Sequence, residues 1–445
     1  MARNSISLLG LYLVAGISSV VMVTVFMLVL HQHPSSDELS GAVFRADSGS
    51  VLDIGSGETE RDLNDIGTTL LTTVDDQVTQ SSLAARSRKP STRYNVLFMI
   101  TDDMRTQIGC YADDANPLTH PRLLTPNLDR LASESLLLKK AYTQFTLCGP
   151  SRTSILTGRR PDTNRIFDNR QYWRSLGGNF TTMPQYFKEN GYRVVGIGKV
   201  FHRDVSSGDN DPFSWSEPIF MANHTENHYL NGKAGWRPVT KEAEKRVPLM
   251  DDVAVAEAKR YLSDFADDAK SGKRPFFLGF GFKKPHSSYV CPERFYDLYP
   301  LETEDQFLDD LSWQTIRLKR TRNLENITIL DDGQAEIPHE TLRHLRRGYF
   351  ACVSYVDHLV GELMRTLSDL DLADSTVVSF MADHGYHFGE NGKFGKQTLH
   401  ETATHVPMMV RIPGSTDSGL VSESVVESLD LFPTLVDGGR PAARS

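Results

Sequence analysis

Four short apolar runs, each closed by residues that carry chemistry, constrain this chain more than any other feature. Asn95-Val96-Leu97-Phe98-Met99-Ile100 is followed by Thr101 and then by Asp102 and Asp103. Val194-Val195-Gly196-Ile197 leads to Gly198, Lys199 and His202. Phe276 to Phe280 leads to Lys283, Lys284 and His286, and Thr376 to Met381 leads to Ala382, Asp383 and His384. Each run has the length and apolar continuity of a buried strand. Between them lie amphipathic patterns that predict helices over Pro126 to Lys139, Thr182 to Asn190, Met250 to Ala266 and Leu342 to Ser368. Strands alternating with helices predict an α/β layer fold with a largely parallel sheet. Such sheets bind ligands beyond the carboxyl ends of their strands. Taken singly, each polar cluster is an ordinary loop start; together they predict one shared site on one rim.

The pattern begins near residue 93. Over the 445 residues, 39% are hydrophobic and 24% charged, enough to build a packed core. The formal net charge of −9 excludes holding a polyanion by overall field, so the chain is not expected to bind nucleic acid. An anionic substrate must instead meet a local basic pocket. Between Arg152 and Arg174 stand Arg152, Arg159, Arg160, Arg165, Arg170 and Arg174 against only Asp162 and Asp168, a candidate for that pocket. The four cysteines are too few for a disulfide scaffold. Cys110, Cys291 and Cys352 are expected to be free or packed, with one bridge left open.

Residues 8–30 carry no charge and are long enough to span a bilayer, which takes about 20 apolar residues. They predict a membrane signal anchor behind a cytosolic tail of residues 1–7, or a cleaved signal. Either delivers the remainder to the secretory lumen, as a type II protein of lysosome, Golgi or cell surface, or as a secreted one. Residues 31–92, rich in Ser, Thr, Asp and Gly, read as a stalk, and Arg86-Ser87-Arg88-Lys89 as a solvated basic run or a processing site. Asn179, Asn223 and Asn326 each open an N-x-[ST] triplet, a glycosylation acceptor in a lumenal protein.

The most specific motif is Cys148-Gly149-Pro150-Ser151-Arg152-Thr153-Ser154-Ile155-Leu156-Thr157-Gly158. Pro150 suits a first helical turn and Gly158 a helix end, which sets Cys148 just before a helix N-terminus, where backbone amides favour anions. Arg152 adds a forked cation suited to an oxyanion. C-x-P-S-R followed by T-G resembles the signature of the type I sulfatases, within the alkaline phosphatase superfamily. Asn95 to Asp103, Thr157 to Asp162, Pro184 to Gly191, Gly198 to His202, Pro275 to His286, Asp383 to Glu390 and Ala403 to Pro407 look most like the iduronate-2-sulfatase branch.

The resemblance implies an alkaline-phosphatase-like sulfatase fold over residues 93–437. It is a large, mostly parallel mixed sheet flanked by helices. It implies that Cys148 is converted to formylglycine by the formylglycine-generating enzyme, and that Asp102, Asp103, Asp383, His384 and the modified Cys148 hold one Ca2+ ion. In that scheme a formylglycine hydrate oxygen attacks sulfur and Arg152 steadies it. Lys199 and Lys396 neutralise the sulfate, His286 protonates the leaving sugar oxygen, and His202 takes the proton that lets sulfate leave. The substrate implied is a sulfated, uronic-acid-containing glycan of heparan or dermatan type. His405 matches a family pattern and reads as a structural hydrogen-bonding residue. Tyr172 and Trp173 read equally as a sugar platform and as core.

The resemblance also shows departures. Only Val436 to Ser445 follow the Asp430-to-Leu435 motif, where family members continue into a C-terminal subdomain, so that subdomain is expected to be missing, with 438–445 a truncated tail. Two alternatives follow: a catalytically silent, membrane-tethered glycan-binding homologue, and a phosphodiesterase or phosphonate hydrolase of the same superfamily.

Overall fold

The computed structural model describes residues 93–112, 123–223, 235–301, 317–318, 328–329 and 335–439. The 8–30 segment, the 31–92 stalk, Arg86 to Lys89, Asn326 and residues 440–445 lie outside the described residues. Among the described residues no helix is long and apolar enough to cross a membrane. Asn179 and Asn223 are both exposed.

The elements that position the rim are, in chain order, β1 (Asn95–Thr101), α1 (Pro126–Ser133), β2 (Leu136–Tyr142), α2 (Cys148–Thr157), α3 (Met183–Glu189) and β3 (Arg193–Gly198). They continue with α4 (Met250–Lys270), β4 (Phe276–Gly281), α5 (His339–Asp369), β5 (Thr376–Ala382), β6 (His405–Val406), β7 (Met408–Arg411), β8 (Leu420–Glu427) and α6 (Leu431–Gly438). The sheet is eight-stranded, in the order β6-β2-β7-β5-β1-β4-β3, with β8 paired to β2. The four runs read from the sequence form its parallel block, β5-β1-β4-β3, with Met99 opposite Phe380 on one side and Phe280 on the other. All seven residues of β1 are buried, as a strand covered by helices on both faces requires.

Outside that block the sheet is mixed: β7 runs antiparallel to both β5 and β2, and β6 antiparallel to β2. The helix expected over Pro126 to Lys139 stops at Ser133, and Leu136 to Tyr142 is a strand. Pro126 starts the helix, and its first N–H groups, on Asn127 and Leu128, donate to the Asp357 carboxylate on α5 at 3.3 and 2.7 Å. An anion there satisfies orphan donors and suits the helix dipole. Beyond Ser133, pairing with β7 and β8 buries Leu137 and Ala141 and outweighs local helical periodicity.

The long helix α5 reaches the rim through Tyr349. The Tyr349 hydroxyl donates to the Asp103 carbonyl at 3.0 Å and accepts from the Arg105 N–H at 2.9 Å, tying the turn after β1 to the helix. Two glycines let β3 and β4 approach where Lys199 leaves the sheet. Gly198 has φ +68, and a Cβ there would stand 2.2 Å from the Gly281 carbonyl oxygen. A Cβ on Gly281 would meet the Lys199 carbonyl carbon at 2.0 Å. Gly198→Ala and Gly281→Ala are each expected to lower stability by about 3 kcal/mol or more. Gly272→Ala, with positive φ but nothing within 4 Å, should cost only about 1 kcal/mol. Denaturant unfolding of the three variants measures the difference.

Candidate active site

Because β5, β1, β4 and β3 are parallel neighbours, their carboxyl ends open on one rim. There the structure brings together Asp102, Asp103, Cys148, Lys199, His286, Asp383, His384 and Lys396, linked by a continuous chain of polar contacts. Cys148 is the first residue of α2 rather than the residue before it, with Leu147 at the N-cap and Gly158 closing the helix at φ 59°. Its Sγ lies 3.3 Å from Asp102 Oδ1 and 3.0 Å from Lys396 Nζ. Lys396 Nζ also donates to Asp103 Oδ1 at 2.6 Å, and Lys199 Nζ forms an ion pair with Asp102 Oδ2. Asp103 adopts φ 66°, a left-handed turn that doubles the chain back so that both carboxylates face the same point.

Burial works against the charge on Asp102, but Lys199, His286 and Lys396 hold its carboxyl well below the usual range. Burial pushes Asp103 up to about 6, Lys396 pulling against it and Asp102 adding to it. Two carboxylates this close need a cation. Ligand atoms of Asp102, Asp103, Cys148 and His384 lie within 4.8 Å of one another. Asp103 Oδ2 and His384 Nε2 are buried acceptors with no hydrogen-bond partner among the described residues. The His384 Nδ1 contact to the Gly385 carbonyl, at 3.1 Å, puts the proton on Nδ1 and leaves Nε2 a bare lone pair. Unfilled acceptors of this kind fit a bound metal ion.

Asp383, expected as a ligand, stands outside that group of four. Its Oδ2 accepts from Arg152 Nε at 2.9 Å, and its Oδ1 from the N–H groups of Asp103 and His384 at 3.1 and 2.9 Å. It lines the same pocket, 3.6 Å from His384 Nε2. Arg152 is likewise bound inward: Nη1 donates to the Lys199 and Val200 carbonyls and Nη2 to the Thr101 carbonyl. His202 lies farther along the rim, its Nδ1 beside Ser206 Oγ at 2.7 Å and the Arg203 carbonyl at 3.1 Å. Burial, helped by Lys199, lowers it to about 4.

One expectation does not hold. The six arginines of residues 152–174 do not assemble into one pocket. Arg152 is bound to Asp383, Arg174 to Asp211, and Arg160 to Glu427. Arg159, Arg165 and Arg170 are exposed. Trp173 is fully buried under the Arg174 guanidinium and is core, while the half-buried Tyr172 donates to Asp211. All four cysteines are free. His405 Nε2 contacts the Lys139 carbonyl at 2.7 Å between β6 and β2, as a structural residue does.

Sequence reasoning passed over the brace behind the site. Arg105 Nη1 donates to Glu390 Oε1 at 2.7 Å, and Glu390 Oε2 accepts from the Phe388 N–H at 2.6 Å. This pair joins the Asp103 turn to the loop carrying Lys396. Both residues lie in or beside the motifs quoted above, but nothing local shows that an arginine near residue 100 meets a glutamate near residue 390.

The parallel block, its charged rim and the helix opening at Cys148 define an enzyme of the alkaline-phosphatase-like fold. The sulfatase family model matches residues 94–438, and the chain belongs to the sulfatase family, the sulfuric ester hydrolases. It is 37% identical to human iduronate 2-sulfatase over 388 residues, covering 77% of this chain and 68% of that protein. It is 31% identical to a sulfatase of Formosa agariphila, covering 77% and 68%. Among solved structures, the phosphonate monoester hydrolase of Agrobacterium radiobacter matches with a TM-score of 0.58 at 20% identity, over 78% of this chain and 73% of that one. That likeness is one of fold.

Burial alone would raise the Glu390 carboxyl, but Arg105, Arg346 and two hydrogen bonds hold it down at about 2. A carboxyl depressed in the folded state adds stability above its ordinary range and loses it as pH falls to the folded value. Between its ordinary 4.5 and about 2, the wild type should lose about 3 kcal/mol more than Glu390→Gln. Urea midpoints across that range measure it.

Proposed function

We propose that this sulfatase releases sulfate from uronic-acid-containing glycans in the manner of iduronate 2-sulfatase, with a formylglycine made from Cys148 and one calcium ion. The observation that carries the reading is the meeting of the Cys148 sulfur with Asp102, Asp103 and His384 inside 4.8 Å, flanked by Lys199 and Lys396. The 37% identity to human iduronate 2-sulfatase supports the substrate class.

Asp102, Asp103 and His384 would hold the ion, with Asp383 beside them; the ion supplies positive charge and the aldehyde, as its hydrate, the attacking oxygen. The remaining work falls to the chain's own residues. Lys396 Nζ, 3.0 Å from Cys148 Sγ, and Lys199 on the opposite carboxylate flank the place where sulfate oxygens sit. Fixed cations there bind more strongly as negative charge builds on oxygen. Arg152 acts through Asp383, fixing the carboxylate that in turn orients the Asp103 and His384 backbone. His286 Nδ1 meets the Ser287 carbonyl at 2.6 Å, which puts its proton there and turns Nε2 toward Asp103, 4.0 Å away. On the imidazolium form Nε2 carries the second proton, and it is the atom to deliver that proton to the leaving sugar oxygen. His202 is arranged the same way: Nδ1 faces the Arg203 carbonyl, so Nε2 is the basic atom that takes a proton as sulfate departs. The proposal includes maturation by the formylglycine-generating enzyme, a membrane anchor at residues 8–30 and a lumenal catalytic domain.

Mass spectrometry of the Cys148 peptide, from protein made in a host that matures sulfatases, should show an aldehyde in place of the thiol. Cys148→Ala should lower sulfate release by about 10⁴-fold or more, and chelation should abolish release until calcium is returned. A fully active protein with an unmodified thiol would overturn the reading. So would faster turnover of phosphonate monoesters or phosphodiesters, substrates that the fold likeness brings into the panel.

A further inference from the structure

Beside the cluster, on the β3–β4 side of the rim, lies a cavity of 210 Å³ with Lys199 and His202 in its wall. Cys148, Asp103 and Lys396 do not line it, so it adjoins the point of sulfate attack without containing it. Met221, Ala222, Met250 and Ala254 line it with apolar groups; Arg203 and Lys283 bring cations to it, and Asp251, whose two carboxylate oxygens accept backbone N–H groups, lies among them.

Lys283 differs from the other lysines of this rim. Lys199 is paired with Asp102, and Lys396 with Asp103. The Lys284 ammonium donates to the Ser288 and His286 carbonyls. Among the described residues the Lys283 ammonium has no carboxylate or carbonyl on it, and the residue is half-buried on the cavity wall. Its backbone is held firmly: the N–H groups of Lys283 and Lys284 donate to the two Asp251 oxygens at 2.9 and 3.0 Å. Burial, then Lys199, lowers the Lys283 ammonium to about 8, while Asp102 and Cys148 pull the other way. Lys283 is also the charge that acts most strongly on His286. With its backbone held and its ammonium in no ion pair among the described residues, Lys283 lines the cavity together with Lys199, three residues before the imidazole of His286.

We propose that Lys283 and this cavity form a second anion subsite. It takes a further acidic group of the substrate, the carboxylate of the sulfated uronic acid or a sulfate elsewhere on the glycan, with the sugar's C–H face against Met221, Met250 and Ala254. This deepens the substrate reading above and rests on it. The apolar wall suits a sugar ring, and the cation sets the demand for a second charge on it.

The test is the specificity ratio, kcat/KM for a fluorogenic 2-O-sulfated iduronide divided by kcat/KM for a simple aryl sulfate, in the full-length matured protein. A ratio is insensitive to the fraction of enzyme correctly folded. Lys283→Met should lower it about tenfold, the loss falling on KM, and Lys283→Arg should largely keep it. A neutral hexose disaccharide carrying two sulfates is the second arm. A loss confined to the iduronide assigns the carboxylate as ligand, and a loss on the disulfated sugar assigns a sulfate. An unchanged ratio in both arms overturns the subsite. Equal losses on aryl sulfate overturn it too, because Lys283 would then act on the scissile group. Should the wild type hydrolyse aryl sulfate and not the iduronide, the substrate reading fails, and the disulfated arm still decides the subsite.

Discussion

The buried pair of Arg152 and Asp383 holds the site together. Both side chains are wholly inaccessible, and Nε meets Oδ2 at 2.9 Å. Burying two charges is costly unless their remaining hydrogen-bonding positions are filled. Here the guanidinium also donates to the carbonyls of Thr101, Lys199 and Val200, at the ends of β1 and β3, while the carboxylate accepts from the Asp103 and His384 amides. One ion pair therefore ties the helix that opens at Cys148 to three strand ends of the parallel block. Removing either partner would strand the other charge in the core, at a cost of about 3–5 kcal/mol.

On that frame the chemistry is a matter of charge crowding. Asp102 and Asp103 come from the turn after β1 and the Cys148 sulfur from the first residue of α2, and two lysines arrive from two loops. Neither set would be stable in a dry pocket alone. Burial raises the carboxyls, the lysines lower them, and the unfilled acceptors at Asp103 Oδ2 and His384 Nε2 leave room for a further cation. A site built this way presents fixed positive charge to a tetrahedral oxyanion and keeps water from competing for it.

The parallel block was legible because buried strands leave near-continuous apolar runs, and the rim because charged residues follow each run directly. The motif around Cys148 was legible because its helix signals sit within eleven residues. The antiparallel half of the sheet was not. Leu136 to Tyr142 has no clean alternation and reads as the tail of the helix before it, and β6, β7 and β8 are short or exposed. The arginines of residues 152–174 misled for a related reason. Their density in sequence is real, but Asp211 and Glu427, which bind Arg174 and Arg160, lie far away along the chain.

The amino-acid sequence by itself determined the class of fold, the rim and the residue types on it, because apolar continuity and the residues that end it are local properties. Tertiary structure alone decided which cations are spent on structure and which remain for a ligand. Arg152, Arg174 and Lys284 are bound by partners brought in through folding, while the Lys283 ammonium is left facing a cavity. The reason is physical: whether a charge is available depends on what sits within about 4 Å of it, and that distance is set by packing rather than by order along the chain.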